Sequence, residues 1–280
     1  MKLRVLDSVT APGTTVNEDC WGLNDEAAWV MDGATGVWPV QRLSERSDAA
    51  WFVGQCDEVL RTIFRGDRKP AEILREVSGS VAVLARSLYP IDGLAAYELP
   101  SASFAAARTV AGQVELANLG DCLTLWRSGS GSVRRFGTSA VTPLDEQLAA
   151  TVAALLASGR SMSEVDADIV AMAQGHRMLM NQPGGYWILD LSGLGTAHVE
   201  VETIADSGPL TLLLMSDGFS RLVDVYGRYD FDQLLKAACS RGLAVLFEEL
   251  RQIEADDETC TAFPRGKVRD DATAVLLEAC

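Results

Sequence analysis

The sequence predicts an α+β fold built in layers, and three observations support this prediction. The chain has 280 residues, of which 48% are hydrophobic, and this is enough to bury a core without disulfides or a structural metal. Blocks of short strands are followed by pairs of helices, whereas an α/β fold would alternate single strands with single helices. No internal repeat and no polar linker divides the chain, so we expect a single domain over residues 1–280.

The N-terminal half is predicted to contain strands, then two helices, then more strands. Alternating polar and apolar residues over 3–9 predict a half-buried strand, and the apolar run at 27–31 predicts a buried one. Apolar residues at helical spacing predict helices over 44–64 and 70–88. Short apolar segments separated by Gly-containing turns predict a β-meander with strands at 103–110, 113–119, 123–128 and 132–136.

The C-terminal half is predicted to repeat this order. Pro143 near a first turn and Ser163 as an N-cap indicate two helices, at 143–156 and 163–180. The remaining strands are expected at 186–189, 198–204, 210–215 and 273–277. The remaining helices are expected at 231–239 and 243–253.

Composition and charge exclude several classes of function. With 24 Lys and Arg against 39 Asp and Glu, the formal net charge is −15. Such a surface repels phosphate backbones and anionic lipids, so we expect neither nucleic acid nor a membrane as a partner, while a divalent cation suits the charge. The chain has only two histidines, His176 and His198, which excludes a His-rich zinc site and leaves few candidates for a His-based triad.

The sequence also bears on location. The N-terminal segment lacks the apolar stretch of a signal peptide, and the longest apolar runs, such as 210–215, are too short to cross a membrane. The six cysteines form no C-x-x-C pair and are expected to be reduced. We therefore expect a cytoplasmic protein, and the sequence makes no prediction of its oligomeric state.

The candidate chemistry lies in aspartates that flank apolar strands beside glycine or another small residue. These are Asp19, Asp32, Asp121, Asp217 and Asp270. Converging carboxylates repel one another unless a hard cation neutralises them, and all-oxygen sites suit Mg²⁺ or Mn²⁺. A single Asp-Gly pair is, however, also common in ordinary turns. From spacing alone, a metal–carboxylate site and a set of structural turns both remain open.

Five ordered motifs resemble those of the PP2C-type metal-dependent Ser/Thr protein phosphatases, in a divergent bacterial form. They are NED at 17–19, MDGATG at 31–36, ANLGDC at 117–122, LLLMSDGF at 212–219 and RDDATAVLL at 269–277. The resemblance extends over residues 3–278. It implies a four-layer α-β-β-α sandwich, in which two antiparallel β-sheets are flanked by helix pairs.

The resemblance also implies a role for each aspartate of these motifs. Asp32 would bridge two metal ions, and the backbone carbonyl of Gly33 would bind one of them. Asp19 would hold the other ion, largely through water, while Asp217 and Asp270 would complete the first site.

The implied reaction is metal-dependent hydrolysis of phosphomonoesters, above all phosphoserine and phosphothreonine on proteins, by a hydroxide that bridges two divalent metals. Asp32, Asp217 and Asp270 would be the catalytic residues. Mn²⁺ or Mg²⁺ would be the cofactor, and Asp121 matches the position that holds a third, weaker ion. The partner would be a phosphoprotein. The alternative is a PP2C-like regulatory or interaction module with weak catalysis or none.

Two positions depart from the family pattern. Thr14 stands where family members usually carry an Arg that grips the substrate phosphate with two hydrogen bonds. Ala34 and Thr35 stand where many eukaryotic members carry a His. His176 is expected to be a surface or capping residue; in the alternative reading, His176 or Arg177 supplies the missing phosphate grip.

Overall fold

Two antiparallel β-sheets form the centre of the structure, a computed structural model that describes residues 2–34, 42–137, 141–205 and 208–280. The strands are β1 (Leu3–Ala11), β2 (Asp19–Leu23), β3 (Ala27–Ala34), β4 (Ser101–Val110), β5 (Gln113–Leu119), β6 (Leu123–Ser128), β7 (Arg134–Phe136), β8 (Leu189–Asp190), β9 (Glu200–Ile204), β10 (Leu210–Met215) and β11 (Ala272–Ala279). One sheet has the order β1-β11-β10-β6-β7. The other has the order β2-β3-β4-β5-β9, with β8 pairing with β4.

Helices cover the outer faces of both sheets. They are α1 (Asp48–Ile63), α2 (Pro70–Leu88), α3 (Thr142–Ala157), α4 (Met162–Arg177), α5 (Asp217–Asp224), α6 (Phe231–Arg241) and α7 (Leu243–Asp256). Apolar residues of α1 and α2 pack on the sheet that contains β3 and β4. Apolar residues of α5, α6 and α7 pack on the sheet that contains β10 and β11. The predicted four-layer α-β-β-α sandwich is therefore confirmed.

The period-two pattern of the central strands explains why they can serve two cores at once. On β4, Phe104 and Ala106 face α1 and α2, while Ala105 and Ala107 face the opposite sheet. Successive strand residues point to opposite faces, so a strand covered on both sides buries the side chains of both faces. The first eight residues of β4 are accordingly all buried.

Most predicted elements agree with the structure to within a few residues. The bounds of α2, β5, β6 and β10 agree with the predicted ones. The predicted strand at 186–189 is wrong, because only Leu189–Asp190 pairs with β4 and Tyr186 makes an isolated bridge to Met180.

Two short elements were not predicted, and one cap was misplaced. Strand β2 and helix α5 both begin at a candidate site aspartate, Asp19 and Asp217 respectively. The N-cap of α4 is Ser161, not Ser163, because Ser161 and Glu164 form a reciprocal capping box.

Searching the described ranges for membrane-spanning segments yields no helix that is both long and apolar enough to cross a bilayer. The six cysteines are all free, as the sequence predicted. Three of them are buried, two are exposed and Cys20 is half-buried.

We predict that Gly218→Ala destabilises the protein, whereas Gly79→Ala stabilises it slightly. A Cβ added at Gly218, in the first turn of α5, would lie 1.9 Å from the backbone oxygen of Asp271, so the loop before β11 would have to move. Overpacking of this kind costs about 1–3 kcal/mol.

At Gly79, within α2, nothing lies within 4 Å of an added Cβ. A helix glycine replaced by alanine there should therefore gain about 0.5–1 kcal/mol. Urea denaturation of both variants measures the difference, and equal effects would contradict the close contact at Gly218.

Candidate functional site

The five aspartates singled out by the sequence lie at one end of the β-sandwich. Asp19 opens β2 and is the direct cross-strand partner of Asp32 on β3. Asp32 is in turn opposite Ser103 on β4. The hydroxyl of Ser103 donates to Asp121, which lies in the turn between β5 and β6. One row of neighbouring strands thus brings Asp19, Asp32 and Asp121 to the same sheet edge.

The second sheet brings the other two aspartates to the same end. Asp217 is the first residue of α5, directly after β10, and Asp270 lies just before β11. Strands β10 and β11 are antiparallel neighbours with Met215 opposite Ala274, so the end of one lies beside the start of the other. Adjacent antiparallel strands are roughly 4.8 Å apart, so the two aspartates lie side by side at one end of these central strands.

Ser216 joins the two sheets at the site. Its hydroxyl donates to Asp19 Oδ2 at 2.7 Å and accepts from the backbone N–H of Thr273 at 3.0 Å. The other oxygen of Asp19, Oδ1, is buried and has no hydrogen-bond partner among the described residues. A buried carboxylate oxygen without a donor is costly, so this atom is open to a ligand that carries positive charge or a donor.

Burial and charge repulsion raise the pKa values of three aspartates at this end. Burial, followed by repulsion from Asp217 and Asp19, raises the pKa of Asp32 well above its usual range, and a hydrogen bond with the Asp217 carboxyl adds to the effect. Burial also raises the pKa of Asp19 strongly. Burial and repulsion from Asp217 raise the pKa of Asp121 to about 6, although the hydrogen bond from Ser103 opposes the change. Asp19, Asp32 and Asp121 therefore favour the neutral form more than an exposed aspartate does.

Asp270 differs from the other four because it already has cationic partners. Arg221 Nη2 lies 2.5 Å from Asp270 Oδ2, and Lys267 Nζ lies 3.0 Å from Asp270 Oδ1. Burial alone would raise the pKa of Asp270, but the charges of Lys267 and Arg221 outweigh it and hold the pKa below its usual value. Both carboxylate oxygens of Asp270 are thus occupied.

Asp271 and Gly33 fix the backbone of the NED loop against the site. Asp271 accepts hydrogen bonds from the backbone N–H groups of Gly13 at 2.7 Å and Glu18 at 2.6 Å. The N–H of Gly33 donates to the Glu18 carbonyl at 3.1 Å, and a Cβ at Gly33 would lie 2.4 Å from that oxygen. The side chain of Glu18 accepts from Ser47, the N-cap of α1. Glu18 therefore ties the loop to α1.

The oxygens on the side of Asp19 suit a cation better than those on the side of Asp270. Within the part of the chain that the structure describes, no group of three or more His, Cys, Asp or Glu side chains is drawn together closely enough to hold a metal ion. On the side of Asp19, Asp32 and Asp217 the donors are oxygens, and the unpartnered Asp19 Oδ1 suits a hard cation. On the side of Asp270, the two basic side chains occupy the oxygens that a cation would need.

Neither Thr14 nor Arg177 supplies the missing phosphate grip. Thr14 is exposed in the loop between β1 and β2. Arg177 is buried at the end of α4, and its guanidinium donates to the carbonyls of Tyr97 and Leu99 and to the hydroxyl of Ser101. The alternative in which Arg177 grips phosphate is therefore wrong, because its donors anchor the segment before β4 and the start of β4. Thr35 lies outside the described residues.

The two histidines show no link to the site aspartates. His176 lies in the last turn of α4, as the sequence predicted, and partial burial lowers its pKa. His198 is exposed and stacks on Trp187, with ring centroids 3.5 Å apart.

Sequence reasoning missed several residues that shape the site. Ser216 and Arg221 both depend on α5, which begins at Asp217 with Ser216 as its N-cap. The Ser-Asp pair after an apolar strand is a helix-start signal that could have revealed this helix. Asp145, in the first turn of α3, gave no signal. Partial burial, then repulsion from Asp217 and Asp121, raises its pKa to about 7. Helix α3 therefore lies near the site.

Solved structures of bacterial phosphatases share this architecture. The serine/threonine phosphatase PstP/Ppp of Mycobacterium tuberculosis matches with a TM-score of 0.54 and 15% identity, covering 99% of this chain and 98% of that chain. The chain has the PP2C-type phosphatase fold. Stp1 of Staphylococcus aureus matches the same fold with a TM-score of 0.55 and 13% identity, covering 99% of this chain and 96% of that one.

A third structure is the catalytic domain of PstP in complex with two manganese ions. It matches with a TM-score of 0.53 and 15% identity, covering 99% of this chain and 97% of that chain. No protein-family model matches the sequence, and no curated protein matches it either. The PP2C-type fold therefore rests on structural similarity over nearly the whole chain.

We predict that Asp121→Asn stabilises the metal-free protein mainly at neutral and alkaline pH. The pKa of Asp121 in the folded protein is about 6, above the ordinary value of 3.8. Above pH 6 the carboxyl is charged in both states, and the folded state alone bears the cost of crowding that charge. At about pH 4 the carboxyl is neutral in the folded state and only partly ionised in the unfolded state, so most of the gain should be lost.

Urea denaturation with EDTA at about pH 8 and about pH 4 measures this pH dependence. Asp92→Asn, which changes an exposed aspartate paired with Arg86, is the control and should show little change. A gain of Asp121→Asn that is equal at both pH values would argue against the raised pKa.

Proposed function

We propose that the chain forms one PP2C-like phosphatase domain that hydrolyses phosphomonoesters with the help of a divalent cation, Mn²⁺ or Mg²⁺. Phosphoserine and phosphothreonine on proteins are the proposed substrates. The observation that carries the proposal is the gathering of five aspartates at one end of a sandwich with the PP2C-type fold. The structurally similar PstP catalytic domain was solved in complex with two manganese ions, which supports the choice of metal. A cytoplasmic location remains a prediction from the sequence.

The candidate side-chain ligands are Asp19, Asp32, Asp121 and Asp217, and the carbonyl oxygen of Gly33 is a further candidate ligand. Asp32 lies at the centre of the group, since repulsion from Asp19, Asp121 and Asp217 all reaches it. A cation bound there would polarise the phosphoryl group and acidify a nearby water molecule. Ser216 and the Asp271 loop would keep the ligands in place as the charge of the site changes.

A second candidate function is that of a regulatory module with weak or no catalysis. The observation in its favour is the occupation of Asp270 by Arg221 and Lys267. The exposed Thr14, where an Arg would grip phosphate, points in the same direction. Activity with added metal distinguishes the two functions directly.

We predict that Asp32→Asn abolishes phosphatase activity and removes the stabilisation of the protein by metal. Wild-type protein should hydrolyse p-nitrophenyl phosphate and a phosphothreonine peptide with Mn²⁺ but not with EDTA. Mn²⁺ that binds only the folded state should also raise Tm. Asp32→Asn keeps the side-chain shape but removes the central negative charge, so both effects should disappear.

The control is Asp92→Asn, which removes an exposed aspartate paired with Arg86 and should behave as wild type. If Asp32→Asn retains more than about a tenth of wild-type turnover, Asp32 does not hold the cation that catalysis needs. A wild-type protein without activity, but with a Tm that rises with Mn²⁺, would favour the regulatory module.

We predict that Thr14→Arg lowers KM for an aryl phosphate and leaves kcat nearly unchanged. An Arg–phosphate contact that is equally strong in the ground state and the transition state changes substrate binding alone. A charge-assisted hydrogen bond contributes about 1.5–3 kcal/mol if the geometry is good. Thr15→Arg is the matched control, since Thr15 is the adjacent exposed residue of the same loop. Equal changes in KM for both variants would indicate a general charge effect instead of a phosphate grip at position 14.

A further inference from the structure

The two cations at Asp270 are unequal. The side chain of Arg221 is only 11% exposed, whereas that of Lys267 is 68% exposed. The Lys267 side chain is flexible and largely in water, so it can move away from Asp270 more easily than Arg221 can. Arg221 is therefore the fixed positive charge, and Lys267 is an addition that a competing ion can displace.

The fold builds Arg221 into the site. Arg221 lies four residues after Asp217 on α5, so both side chains lie on the same face of this helix. Burial alone would lower the pKa of Arg221, but the charges of Asp270 and Asp217 outweigh burial and raise it. These acidic neighbours explain why a buried arginine is stable there. Its Nη1 is buried and has no hydrogen-bond partner within the described ranges. The guanidinium is thus held by its charge and by the helix, without a complete set of hydrogen bonds.

A second observation separates the two sides of the cluster. Asp19 is 6% exposed, and its Oδ1 lacks a partner, so that side is open to a cation. Each oxygen of Asp270, in contrast, has a basic partner within 3.0 Å. A divalent ion at Asp270 would have to displace Lys267 and would lie beside the largely buried guanidinium of Arg221. Like charges at that distance repel strongly where water is excluded.

We propose, on the basis of the function proposed above, that Arg221 is a resident cation that takes the place of a divalent ion at Asp270. The protein then binds one Mn²⁺ tightly, on the side of Asp19, Asp32 and Asp217, instead of two. Arg221 acts as a positioning residue, because it fixes the charge and orientation of Asp270.

The test is a count of bound Mn²⁺ on metal-free protein, by isothermal titration calorimetry and by the EPR signal of free Mn²⁺. Wild type should bind one equivalent tightly. Arg221→Gln removes the charge and should gain a second equivalent, with an affinity at least about tenfold above any weak second binding by wild type. Arg221→Lys keeps the charge and should still bind one.

Two further variants keep the test sharp. Lys267→Gln should change the second affinity by less than about threefold, because the lysine side chain is largely in water and can move aside. Arg108→Gln is the matched control: it removes a buried arginine that pairs with Glu115 on the sheet of β4 and β5, and it should leave the Mn²⁺ count unchanged. Circular dichroism checks that each variant folds, and if Arg221→Gln does not fold, Asp270→Asn replaces it. That variant should leave the tight wild-type equivalent intact.

Each outcome bears on a different proposal. Two tight equivalents in wild type, or the same count in wild type and Arg221→Gln, would overturn the resident cation while leaving the phosphatase proposal standing. Loss of the tight equivalent in Asp270→Asn would also overturn it. Failure of wild type to bind any Mn²⁺ would instead remove the metal from the proposed function. A rise in KM of Arg221→Gln at an unchanged Mn²⁺ count would make Arg221 a substrate contact.

Discussion

The structure of this end of the molecule depends on one constraint, which is that several carboxylates must share a small volume with too little positive charge. Strand pairing holds Asp19 opposite Asp32, and the pairing of β10 with β11 brings Asp217 and Asp270 to the same end. The backbone of two sheets imposes these positions, so the side chains cannot relieve the repulsion by moving apart. Burial, together with this repulsion, raises the pKa values of Asp19 and Asp32. A site of this kind favours whatever brings positive charge to it.

The scaffold that maintains this arrangement consists of short polar contacts between the two sheets. Ser216 links the end of β10 to Asp19 on β2, and Asp271 holds the loop that leads to Asp19. The donors in these contacts are a hydroxyl and backbone N–H groups, and the acceptors are the carboxylates of Asp19 and Asp271, so the bonds are strongest when those carboxylates are charged. The positions of the ligands are therefore set by the fold, while the charge balance is set by a few exchangeable side chains.

Much of the fold could be predicted from the sequence because hydrophobic period and glycine turns act locally. The apolar strands β5, β6 and β10 and the amphipathic α2 have the predicted bounds for this reason. The five aspartates could be named because each flanks such a strand. Their charge state could not be predicted, since Arg221 reaches Asp270 from 49 residues away along the chain. The alternative role of Arg177 as a phosphate grip was wrong for the same reason, because its hydrogen-bond partners lie 76–80 residues before it.

Arg221 illustrates why similarity of fold does not carry over the metal content of a site. The solved phosphatases that share this fold have 12–16% sequence identity with the chain, so strand positions are preserved while most side chains differ. A single basic residue one helical turn after Asp217 adds a full positive charge beside Asp270 without altering any strand. Since the repulsion among carboxylates can be relieved by a divalent ion or by a guanidinium, the same backbone accommodates either. The number of ions that such a site takes is then decided by side chains that the fold leaves free to vary.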